Sequence, residues 1–150
     1  PTPSTPKDAL LSNQAWQECK DWLQTSKRFF DVQAIPQALL ANYLKMTDVC
    51  LLPSRAEPQG MAMIEAMGAG TVVVSCAVDG INESVLHGVT GYLADNPEDT
   101  EELLSLTRTA LNEPHSTVRE KAVERVAEHF SWPVVTAQLE QIYLQVAKQA

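Results

Sequence analysis

The sequence predicts an α/β domain, an open parallel sheet with helices on its faces. Three observations predict it. The runs Asp48–Pro53 (DVCLLP) and Thr71–Ser75 (TVVVS) are short, apolar and bounded by turn residues, as strands covered on both faces are. Each run is followed by a loop and a helical pattern, so strand and helix alternate. A polar loop ends each run, and the alternation implies a parallel sheet with right-handed crossovers.

The elements follow in order. Residues 14–26 place Trp16, Cys19 and Leu23 on one helical face, with Asn13 as the N-cap. Residues 28–33 read as a short strand. Pro36 opens a second helix at its first position, with Leu39, Leu40, Tyr43 and Leu44 as the apolar face. After DVCLLP and the polar loop SRAEPQ, MAMIEAMGAG reads as a helix stopping at Gly68 and Gly70. TVVVS is β-branched until its last residue and is the clearest strand. A small helix around NESVL and a strand at GYLA follow. The last third is helical. Asn96 and Pro97 start one helix, with Glu98 and Asp99 in its first turn, where the dipole favours acids. Thr117 and Glu120 have capping-box spacing ahead of Val118, Ala122 and Val126. Ser131 caps a final helix carrying Val135, Leu139, Ile142 and Val146.

A chain of 150 residues with 45% apolar and 20% charged content suits one globular domain. The net charge of -8 argues against a protein that tracks nucleic-acid backbone or adsorbs to anionic lipid. No apolar run approaches membrane-spanning length, so a cytoplasmic place is expected. Cys19, Cys50 and Cys76 form no CxxC and no metal-ligand spacing with His87, His115 or His129, and read as small buried thiols. No metal is expected. The opening PTPSTPKD is turn chemistry with no strand before it, which suggests a longer chain cut upstream.

In open parallel sheets, ligands bind outside the carboxyl ends of the strands. That points to Ser54–Gly60 and Cys76–Asn82. The informative stretch runs from Glu57 to Glu65. Gly60 stands where a helix begins, with no side chain to block a ligand approaching the free N–H groups, which suit a phosphate. A carboxylate at Glu65 could accept hydrogen bonds from the vicinal hydroxyls of a ribose, and Glu57 from those of a second polyol. On spacing alone, a solvated loop acid, a hinge glycine and an exposed helix acid are the preferred description. The apolar run Met61–Ile64 tilts the balance, because a Glu in a helix buried on most sides needs a partner. The stripe Met61, Met63 and Met67 reads as core packing, and His87 as a surface histidine.

The run from Asp48 to Asp95 resembles the nucleotide-binding core of the GT-B retaining glycosyltransferases of family four, whose C-terminal domain is Rossmann-like. Glu57 and Glu65 fall on that family's E-x7-E motif, and Ala66, Met67 and Gly70 follow in register. Gly80 and Glu83 match its GG-x-x-E element, Gly88, Thr90 and Gly91 its G-x-TG element, and Phe130–Trp132 the start of its closing helix. The likeness covers residues 29 to 145. It implies that Glu65 holds the ribose of a nucleotide-sugar donor, with UDP the commonest. Glu57 takes the catalytic place against the transferred sugar, and Gly60, Met61 and Ala62 receive the diphosphate beside Gln59. Ala34 and Ile35 flank the base, and Gly80 lines the crevice. The implied reaction is retaining glycosyl transfer with no cofactor besides the donor.

There are departures from that pattern. Gln59 replaces the usual aromatic, Thr71-Val72 the usual x-Pro dipeptide, and Asp79 the first Gly of GG-x-x-E, bringing negative charge toward the diphosphate path. The family's basic Arg and Lys, its first two C-terminal-domain strands and its acceptor-binding N-terminal domain are expected upstream of Pro1. Residues 1–150 are therefore expected to form one N-terminally truncated domain, inactive alone, with the glycan, lipid or small-molecule acceptor and any peripheral membrane contact handled upstream. Arg55 reads as a solvated loop residue. A nicotinamide-binding domain fits poorly, since Gly68-Ala69-Gly70 closes a helix where that fingerprint opens one. A non-catalytic or regulatory nucleotide-sugar-binding domain and a sugar-nucleotide epimerase of the same architecture stay open.

Overall fold

The computed structural model of the protein describes residues 34–112 and 114–148, together with Asp21 and Thr25. The chain divides into two compact units, Pro1–Ile35 and Pro36–Ala150. In the first, Asp21 and Thr25 are helical, as expected for 14–26. Trp16, Cys19, Leu23 and the strand expected at 28–33 lie outside the described residues.

The second unit carries α1 (Gln37–Lys45), β1 (Val49–Leu52), α2 (Met61–Gly68), β2 (Val72–Cys76), α3 (Ile81–Ser84), β3 (Tyr92–Ala94), α4 (Thr100–Asn112), α5 (Ser116–His129) and α6 (Trp132–Ala147). The strands form a three-stranded sheet in the order β1-β2-β3. Both pairings are parallel, Val49 opposite Val72 and Val74 opposite Tyr92. The loops after β1 and β2 therefore leave the same edge, as a ligand-binding open sheet requires.

Alternation along β2 divides the core. Val73 faces a cluster with Met63, Ala66 and Met67 of α2, Ile81, Val85, Leu93 and Ala122 of α5. Val72 and Val74 face Ala110 of α4, with Leu103, Leu106 and Tyr92 alongside. Met63 and Met67 are wholly buried, each contributing roughly 1.5–3 kcal/mol. Met61 departs from the expected stripe and is 54% exposed. It heads α2 at the carboxyl edge of the sheet, bordering a hollow with Phe130, Trp132 and Val135.

Further corrections concern faces and caps. All of β2 is buried, but β1 is only half-buried and Leu51 is exposed, because β1 lies at the edge of the described sheet. In α1, Leu40 and Leu44 turn inward while Leu39 and Tyr43 are exposed. Asn96 and Pro97 form a turn before α4, with Asn96 Oδ1 accepting from the Glu98 N–H. Asp99 is the real cap, its Oδ1 accepting from the Glu101 and Glu102 N–H groups, so those two acids occupy the first turn. The expected capping box does not form. Helix α5 starts two residues earlier, with His115 in the cap position and no side-chain cap bond. The buried His115 ring is committed elsewhere: Nε2 donates to the Thr109 carbonyl (3.1 Å), and Nδ1 pairs with the Tyr92 hydroxyl (3.1 Å). Ser131 does precede α6, but its hydroxyl donates back to the Ala127 carbonyl. Among the described residues nothing covers Val135, Leu139, Ile142 and Val146, which are exposed. The G-x-TG element is a turn. Gly88 is left-handed (φ 71°), Thr90 accepts the Leu86 N–H, and Gly91 lies so close to Val73 that a Cβ has no room. No helix among the described residues is long and apolar enough to cross a membrane.

Candidate functional site

Two loops at the carboxyl edge of the sheet build the site. The first leaves β1 and reaches α2 through Glu57-Pro58-Gln59-Gly60, and the second leaves β2 through Ala77–Gly80. Gly60 adopts φ 76°, a left-handed turn that glycine enters without steric cost. A Cβ there would also press on Ile81 at 3.2 Å. The Gly60 carbonyl accepts the first helical bonds, from the Met63 and Ile64 N–H groups. The amides of Met61 and Ala62 in the first turn have no acceptor among the described residues. Both residues are exposed, and these donors stand at the positive end of the helix.

Glu57 is half-buried, and its Oε1 accepts the Gly60 N–H at 3.2 Å. The Gly60 amide thus has a partner, which leaves Met61 and Ala62 as the open donors. The Glu57 N–H donates to Asp79 Oδ2 at 3.3 Å, and the Gly80 N–H donates to the Glu57 carbonyl at 3.1 Å. The Ser84 hydroxyl, in α3, is buried and donates to the Gln59 carbonyl at 2.8 Å. Gly80 touches the first loop directly, since a Cβ there would meet the Pro58 carbonyl oxygen.

Glu65 sits one turn into α2, half-buried in a groove of about 320 Å³ between α1 and α2. Leu40, Ala41 and Leu44 supply its apolar wall. Gln37, in the first turn of α1, places Nε2 3.5 Å from Glu65 Oε1. Gln59 and Met61 border a separate apolar hollow of about 210 Å³ with Ile64, Phe130, Trp132 and Val135. The structure thus brings Glu57, Gln59, Gly60, Met61, Ala62 and Gly80 to one edge, with Glu65 on the helix they lead into. Ala34 is exposed and Ile35 half-buried, both in the unit Pro1–Ile35.

Other expectations resolve as structural roles. Asp79 is turned to the Glu57 amide. Arg55 pairs with Glu98 at 2.6 Å on the surface, an exposed contact of small worth. His87 is exposed and its Nδ1 accepts the Leu93 N–H at 3.0 Å, tying the turn to β3. Cys50 and Cys76 are free thiols, and burial pushes both up from the ordinary value, with Glu102 and Glu98 adding to the shift at Cys76. Among the described residues, no three His, Cys, Asp or Glu side chains gather where they could hold a metal ion. Gln37 and Ser84 were not singled out from the sequence. Gln37 follows the helix-opening proline, which marks a helix start but not which neighbour it faces.

Residues 17–129 match the family model described as glycosyl transferases group 1. The chain is 34% identical over 107 residues to a glycogen synthase of Mycobacterium tuberculosis, covering 70% of this chain and 26% of that protein. A sucrose-phosphate synthase from Thermosynechococcus elongatus superposes with TM-score 0.82 at 30% identity, over 98% of this chain and 37% of the other. HepE of Anabaena, solved in complex with UDP-glucose, superposes with TM-score 0.61 at 28% identity, over 71% of this chain and 29% of the other. The chain thus spans 26% to 37% of the length of these relatives.

Proposed function

The chain belongs to the glycosyl transferases group 1 family, and from that premise we propose that it forms the nucleotide-sugar-binding part of a retaining glycosyltransferase. The observation that carries the reading is the pair of open amides at Met61 and Ala62, standing on α2 between Glu57 and Glu65. A diphosphate needs donors in a fixed array, and a helix N-terminus supplies them with a favourable dipole. Glu65, one turn farther along, accepts the ribose hydroxyls, and the apolar wall from α1 shelters the nucleoside. Glu57 contacts the hydroxyls of the transferred sugar.

In the reaction, the bond between the anomeric carbon and the diphosphate oxygen breaks while an acceptor hydroxyl oxygen bonds to that carbon and passes its proton to the departing diphosphate. Negative charge grows on the departing diphosphate, and the Met61 and Ala62 amides stabilise it where it develops. No cofactor or metal is assigned beyond the donor itself. UDP is the preferred nucleotide, since HepE was solved with UDP-glucose. The acceptor is assigned to a second domain of the whole protein.

The test is UDP binding by ligand-observed NMR with Glu65→Ala as the comparison. Losing a charged acceptor for the ribose should cost about 1.5–3 kcal/mol, more than tenfold in affinity. Unchanged binding in Glu65→Ala would sink the assignment.

A further inference from the structure

We propose that Asp79 is a positioning residue of the donor site, fixing through its carboxylate the loop that presents Glu57 and the open amides of α2. The functional half of this proposal rests on the nucleotide-sugar reading above; the clamp itself rests on geometry alone.

Asp79 is the one non-glycine residue among those described with positive φ, at 37°. Glycine would adopt that turn freely, whereas an L-residue does so rarely. Its carboxylate contact, Oδ2 accepting the Glu57 N–H at 3.3 Å, is what the side chain adds in exchange. The bond is reciprocated next door, where the Gly80 N–H donates to the Glu57 carbonyl at 3.1 Å. Two consecutive residues of one loop thus grip both backbone groups of a single residue in the other. The held residue then directs its own carboxylate, Glu57 Oε1, onto the Gly60 N–H at 3.2 Å. A continuous run of hydrogen bonds therefore links Asp79 to the start of α2.

The arrangement has an electrostatic cost. Asp79 is exposed, and its negative charge is held against the backbone N–H of Glu57, the residue whose own carboxylate is assigned to the sugar. Its charge opposes anion binding while its acceptor holds the loop in place. The two effects are separable by substitution. Asn keeps an acceptor oxygen and tolerates the turn but removes the charge. Gly keeps the turn and removes both charge and acceptor. At equal charge, the Asn and Gly variants differ in the acceptor and in the backbone freedom of residue 79.

The experiment measures Glu57 amide hydrogen exchange and UDP affinity by NMR on the 150-residue chain and on Asp79→Asn and Asp79→Gly. Exchange in the Asn variant should stay within about twofold of the parent, and in the Gly variant should quicken roughly three- to tenfold. UDP should bind the Asn variant more tightly than the parent, with the gain shrinking as salt rises. At equal charge, the Gly variant should bind roughly three- to tenfold more weakly than the Asn variant. Equal exchange in the two variants would overturn the clamp. Unequal exchange with equal affinity would reduce it to a fold contact and overturn the positioning role. If none of the chains takes up UDP, the nucleotide reading fails, while the exchange comparison still decides the clamp.

Discussion

Alanine at position 80 tests how closely the two loops depend on each other. Gly80 has φ -69° and ψ -11°, an ordinary conformation for any residue, so the substitution carries no backbone strain. Its effect is steric. The new Cβ would lie 2.0 Å from the Pro58 oxygen, 2.6 Å from the Pro58 carbonyl carbon and 2.7 Å from Gln59 Cα. All three are backbone atoms, so no rotamer change relieves the overlap. Reaching ordinary contact moves the Pro58 carbonyl by more than an ångström. That separation breaks the Gly80 bond to the Glu57 carbonyl and the Ser84 bond to the Gln59 carbonyl. Two hydrogen bonds at about 1 kcal/mol each, with overpacking of about 1–3 kcal/mol, give a loss near 3–5 kcal/mol. Gly88→Ala is the control. There φ is 71° and nothing lies within 4 Å of an added Cβ, so only the left-handed backbone contributes, at about 1–2 kcal/mol. Urea unfolding with unchanged slope gives both numbers. If Gly80→Ala costs no more than Gly88→Ala, the loops do not lean on each other as described.

Two further substitutions follow from contacts around the site. Arg125 donates from Nε to the Ser84 carbonyl (2.9 Å) and from Nη2 to the Glu83 carbonyl (2.6 Å), closing the end of α3. Arg125→Ala should cost about 2–3 kcal/mol in urea unfolding, and a loss under about 0.5 kcal/mol would show that α3 needs no such closure. Burial, followed by Glu102 and Glu98, holds the Cys76 thiol above its ordinary value of 9.0. The unfolded chain therefore releases this proton first as pH rises, so folding stability falls above about pH 9. Urea midpoints between about pH 8 and 10 should fall less steeply in Cys76→Ala than in the parent, and parallel slopes would contradict the shift.

Local pattern carried much of the described fold. β2 was legible because Val72–Val74 are β-branched and consecutive, a pattern few other structures use. Helix α2 was legible from Gly60 and Gly68, with Glu57 in the loop before it and Glu65 within it. Partners distant in sequence were not legible. The hydrogen bond from Glu57 to Asp79 spans 22 residues, and nothing in either local sequence announces it. Caps failed for the same reason. Thr117 and Glu120 have the right spacing, but His115 is drawn into a contact with Tyr92 on β3, and the helix begins from it. Apolar periodicity also says that a face can be buried without saying by what. It described Ala122 on α5 correctly, yet the matching face of α6 is open among the described residues.

The most direct test of the central claim is where UDP lands. In an amide-resolved NMR titration of the 150-residue chain, the largest shifts should fall on Met61 and Ala62. Smaller ones should fall on Gly60, Glu65 and Gln37, where the helix start and the α1–α2 groove meet the nucleotide. Shifts that leave Met61 and Ala62 unmoved and gather instead around Leu51, Pro53 and Leu104, which line another groove of about 650 Å³, would contradict the account.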